Sequence, residues 1–82
     1  MVTQTCKLVF KDGKIVMAKI VADSPISSVD VEWSGETNRV PSENLIRKIH
    51  VSTLRALFKN LAKDLDAKFE ESIEGTYERW ER

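Results

Sequence analysis

Cysteine is all but missing: Cys6 is the only one in 82 residues. A single thiol cannot build a disulfide framework, and it fits a reducing compartment. Glycine and proline are scarce, at three and two residues, which argues against a disordered chain. No apolar run approaches the ~18 residues of a membrane span. Met1-Val2-Thr3-Gln4 has no basic start leading into an apolar stretch, so no secretory leader is expected. Excess charge is missing too. Thirteen basic and thirteen acidic residues cancel, so the chain as a whole lacks a nucleic-acid footprint. One Cys and one His give no metal-ligand spacing. Gly13, Gly35 and Gly75 stand alone, so there is no glycine-rich phosphate loop. These absences leave one cytoplasmic domain, residues 1–82, with no cofactor, no metal and no membrane span. So short a chain buries a limited core, and association with a second copy would help it.

What is present changes rhythm near Ser52. Before it, apolar residues alternate. Cys6, Leu8 and Phe10 alternate with Lys7, Val9 and Lys11, a half-buried strand. Asp12-Gly13 is a favoured pair for a tight hairpin turn. In the next strand Lys19 marks Ile15, Met17 and Val21 as the wetter face, and Val16, Ala18 and Ile20 then point inward. Asp23-Ser24-Pro25 ends that strand, because proline has no ladder N–H. Val29, Val31 and Trp33 alternate with Asp30, Glu32 and Ser34, and Trp33 is expected as a core anchor. Residues 34–37 turn the chain into a short strand reaching Val40. Ser42 could cap a helix through Leu45, Ile46 and Ile49. Alternatively residues 41–44 form one turn and 45–51 a fifth strand, which the β-branched residues slightly favour.

From Ser52, a good N-cap, Leu54, Leu57, Phe58, Leu61 and Leu65 recur at helical spacing. Phe69, Ile73 and Tyr77 follow at strict four-residue steps. They read as the same helix with its stripe drifting sideways, supported by Asp64–Lys68 and Lys68–Glu71 pairs. Gly75 is expected to bend, fray or end it. A helix over 52–74 would be roughly 33 Å long and overhang the short strands. The expected fold is therefore α+β: a small antiparallel β unit of four to five strands over 1–51, then one long C-terminal α-helix over 52–82.

The β unit carries a resemblance. Val29-Asp30-Val31-Glu32-Trp33-Ser34-Gly35, then Val40-Pro41-Ser42-Glu43-Asn44-Leu45, is similar to the later strands of small SH3-like β-barrels of chromo and Tudor type. With the Asp12-Gly13 hairpin the likeness covers residues 6–51. It implies a twisted five-stranded SH3-like barrel whose job is binding. Chromo and Tudor modules cage methylated lysine or arginine with several aromatics, because a cation is drawn to ring faces. Here the unit offers only Phe10 and Trp33, too few for a full cage.

Charge is balanced but segregated. Residues 1–63 hold ten basic and six acidic side chains, and residues 64–82 hold three and seven, giving +4 and −4. Such asymmetry can guide partner choice. Arg55, Lys59 and Lys63 form a basic helical stripe preceded by Arg47, Lys48 and His50. Glu70, Glu71 and Glu74 come late in the expected helix, opposite to what its dipole favours, so a basic partner surface would explain them. As acid–base groups they are better read as a solvated face. Cys6 and His50 are the only conceivable nucleophile pair, and a buried structural thiol explains Cys6 more simply.

The expectation is therefore a non-enzymatic protein–protein interaction module. In type it looks like the small inhibitors and adaptors that phages encode against host or defence machinery. Phe69, Glu70, Glu71, Ile73, Glu74, Tyr77 and Trp80 would contact a protein partner or a second copy, as in a homodimer. The alternative is a nucleic-acid-binding protein using the barrel with Arg47, Lys48, Arg55, Lys59 and Lys63.

Overall fold

The computed structural model describes residues 1–24 and 28–76. Two eight-residue strands, β1 (Val2–Val9) and β2 (Ile15–Ala22), form an antiparallel hairpin from Val2↔Ala22 to Val9↔Ile15. The turn closes through Gly13 N–H to the Phe10 carbonyl at 2.9 Å, with Gly13 at φ +90, a conformation that costs glycine little. The faces follow the alternation. Val2, Gln4, Cys6 and Leu8 of β1, with Val16, Ala18, Ile20 and Ala22 of β2, are buried, whereas Ile15 and Val21 are exposed.

The third segment is two strands. β3 (Ser28–Asp30) pairs with β5 (Lys48–His50), and β4 (Glu32–Gly35) pairs with β2. The break falls at Val31, whose N–H bonds the Arg47 carbonyl at 2.9 Å. One extended run thus changes partner midway. The expected closed barrel does not form: the described residues build an open four-stranded sheet, ordered β4-β2-β1-β6 with β6 spanning Lys68–Gly75, beside a two-stranded ladder. The expected short strand up to Val40 is also absent. Two 3₁₀ turns, Thr37–Arg39 and Pro41–Asn44, take its place, and the fifth strand shrinks to Lys48–His50.

The helix α1 runs Val51–Asp64. It starts one residue before Ser52, with His50 as the capping residue, and Thr53 Oγ1 donates to the His50 carbonyl at 2.8 Å. Val51, Leu54, Phe58, Leu61 and Ala62 are its buried stripe. Laid on the inner face of the sheet, that stripe closes the core with Cys6, Leu8, Val16, Ala18 and Ile20.

The long C-terminal helix is corrected here. At fourteen residues α1 is about 21 Å long, not 33 Å, and it does not overhang. Ala67 N–H bonds the Ala62 carbonyl at 2.9 Å while Asp66 sits at φ 54, a left-handed helix terminator of Schellman type. The chain then reverses into β6 (Lys68–Gly75), antiparallel to β1 from Val9↔Lys68 to Val2↔Gly75. Lys68 is therefore not helical, and its ion pair is with Glu70 at 3.6 Å rather than with Asp64 or Glu71. Gly75 ends the element, but the element is a strand.

Candidate functional site

The acidic residues expected on a helix lie on the edge strand β6. Leu8, Cys6 and Gln4 face the core, so their register partners Phe69, Glu71 and Ile73 share the inner face. Glu70, Ser72 and Glu74 share the outer face with Lys7, Thr5 and Thr3. Phe69 packs partly into the core, whereas Ile73 is 57% exposed. Tyr77 and Trp80 lie outside the described residues. One side of β6 pairs with β1. Among the described residues the other side meets no strand over its eight residues. Five of the seven residues expected to bind protein thus share one strand, although not in the helical arrangement expected of them.

The segregation of charge has an internal cause. The acidic tail folds back on the basic body. Glu70 lies 3.5 Å from Lys7 and Asp66 2.5 Å from Lys11, and Glu71 Oε1 takes Arg55 Nε at 2.6 Å. The reversed-dipole argument for a basic partner falls with the helix it assumed. α1 carries Lys63 in its last turn, as its dipole favours, although its final residue is Asp64.

Glu71 is the most constrained of these groups. It stands opposite Cys6 across the β1–β6 ladder, beneath α1. One oxygen is held by Arg55, and the other, Oε2, is buried with no donor among the described residues. Burial pushes the Cys6 thiol up to about 12. The Glu71 charge adds to the rise and Arg55 opposes it. Cys6 is therefore a thiol and not a thiolate at neutral pH, and it has no exposed surface. His50 is exposed at the end of β5.

The basic residues of the alternative reading are dispersed in role. Arg47 pairs with Glu43 at 3.1 Å, Lys48 with Asp30 at 3.6 Å and Arg55 with Glu71. Only Lys59 and Lys63 stay exposed without a carboxylate partner among the described residues. Phe10 and Trp33 do not share a cage. Phe10 lies under the Arg39 guanidinium at 5.2 Å, and Trp33 stacks on Phe58 at 5.7 Å.

The outer face of the sheet has a depression of about 160 Å³ lined by Thr5, Lys7, Met17, Glu70, Glu71 and Ser72. That is well below the roughly 300–1,000 Å³ of small-molecule pockets. Among the described residues no three His, Cys, Asp or Glu side chains converge as a metal site, and no helix is long and apolar enough to cross a membrane. The feature that sequence reasoning missed is the free strand edge. Its signal was the pair Phe69 and Ile73, whose four-residue step is also two strand periods. No known protein family, curated protein sequence or solved structure matches the chain.

Proposed function

We propose that this chain is a non-catalytic protein-binding module that engages its partner through the free edge of β6. The carrying observation is that edge: the side of β6 away from β1 meets no strand among the described residues over eight residues, and it bears an exposed Ile73. An unpaired edge offers a row of N–H and C=O groups to an incoming strand. Main-chain bonds then supply affinity, and alternate side chains supply selection. An adaptor or inhibitor that acts by capture needs just such a surface.

The test is affinity capture with the full chain, comparing wild type, Ile73→Lys on β6 and Lys59→Glu on α1. The expected result is a protein retained by wild type and by Lys59→Glu, and lost with Ile73→Lys. Retention that depends on Lys59 and disappears on nuclease treatment would overturn the proposal in favour of nucleic acid.

A further inference from the structure

The sequence of β6 is self-complementary in one antiparallel register. Pair two copies of the strand around Glu71. Lys68 then faces Glu74 of the second copy, Phe69 faces Ile73, and Glu70 faces Ser72, each twice. The residues so paired lie on matching faces: Phe69, Glu71 and Ile73 inside, Lys68, Glu70, Ser72 and Glu74 outside. Directly opposed residues of an antiparallel pair have Cβ atoms about 5 Å apart, close enough for ion pairs and apolar contact. The neighbouring registers lack this match. Centring on Ser72 sets Glu70 against Glu74 twice, and centring on Glu70 sets Phe69 against Glu71 twice. Like charges directly opposite are destabilising, which disfavours the first of these registers, and the second loses both the Lys68–Glu74 ion pairs and the Phe69–Ile73 contact.

The single like-charge contact of the favoured register is Glu71 against Glu71. Each of these carboxylates already carries its own Arg55 at 2.6 Å. Each also has an Oε2 without a donor among the described residues. A guanidinium presents five N–H donors, so the two Arg55 side chains can serve both carboxylates at the seam. The exposed Ile73 finds the partly buried Phe69 of the other copy.

We infer that the occupant of the β6 edge is a second copy of this chain, paired antiparallel around Glu71, so that two four-stranded sheets become one of eight strands. This rests on the reading of β6 as the contact edge and names what fills it.

The test is sedimentation velocity on the full chain from micromolar to millimolar concentration, with circular dichroism to verify the fold. Wild type is expected to dimerise. Glu74→Lys and Lys68→Glu should each weaken the dimer about tenfold, since each sets like charges face to face. The two changes together recreate the opposite-charge pairs with signs exchanged and should restore wild-type association. A wild type that stays monomeric at every concentration overturns the inference, as does a double variant no better than the singles. If the monomer still captures another protein and Ile73→Lys abolishes capture, the dimer falls and the binding proposal stands.

Discussion

Phe58 has no exposed surface, and its ring stacks on Trp33 with an interplanar angle of 28°. Truncation of a core aromatic costs about 3–5 kcal/mol, on the scale of the whole stability of a small domain. Phe58→Ala is therefore expected to leave no cooperative unfolding transition in urea at 25 °C. Trp33 is only half-buried, so Trp33→Ala should cost about 2 kcal/mol, less than a fully enclosed core position would lose. Its Nε1 donates to the Ile46 carbonyl at 3.3 Å, and Trp33→Phe should lose about 1 kcal/mol through that bond. Cys6 gives a pH dependence of definite sign. Its folded pKa is raised from 9.0 to about 12, so between those values the native state holds a proton that the unfolded chain releases. Stability from this group is complete below pH 9 and falls as pH rises, by up to about 1.4 kcal/mol per pH unit. Urea midpoints of wild type should therefore decline relative to Cys6→Ala between pH 9 and 11. A constant difference would show that the thiol is not held in its protonated form.

At the scale of elements, the facing of the hairpin was legible, but its length was not: β1 runs Val2–Val9, whereas the alternation was read from Cys6 to Lys11. Lys19 and the Asp12-Gly13 pair assign both faces of β1 and β2, because one charged residue decides the phase of a period-two pattern. The body of α1 was legible for the same kind of reason, since Leu54, Phe58 and Leu61 satisfy no strand period. The tail was not. A step of four residues is one turn of helix and two periods of strand, so Phe69 and Ile73 fit both. The residue between them that would have decided is Glu71, an inward charge tolerated because Arg55 meets it. The terminator was hidden as well, because Asp66 at φ 54 has no strong local signature. Of the candidate site, the residues were legible and their arrangement was not. Gly35 offers a test of a strand end. It sits at φ +83, and an added Cβ would collide with the Ile15 carbonyl. Gly35→Ala is expected to lose about 1–3 kcal/mol in thermal or urea unfolding. An unchanged midpoint would mean that β4 does not approach β2 as closely as described.

For the whole molecule, opposite charges on the two parts of the sequence act first on each other. Lys7, Lys11 and Arg55 of the body meet Glu70, Asp66 and Glu71 of the tail. Solvent screens the exposed pairs, so they add little stability, and their main effect is to neutralise charge that would otherwise face a partner. Of the five residues considered for nucleic acid, Lys59 and Lys63 alone remain unpaired among the described residues. Two phosphate contacts give a slope of log K against log salt near −2. Filter-binding titrations are therefore expected to show only weak, sequence-independent affinity, no tighter than about 100 µM at physiological salt.

The order in which the sheet is completed follows from the pairing of β1 with β6. β1 is an interior strand, yet one of its neighbours comes from the other end of the described chain. Met1 and Thr76 meet through a 2.6 Å hydrogen bond that closes nearly the entire length between them. Closing so long a loop is entropically costly before any contact rewards it, which slows folding. A ribosome delivers β2 well before β6. Throughout that interval the backbone edge of β1, beside Cys6 and Leu8, lies open to whatever strand arrives first. The nascent chain is thus a receptor awaiting its own β6, and a short peptide of that sequence supplied early would compete for the place.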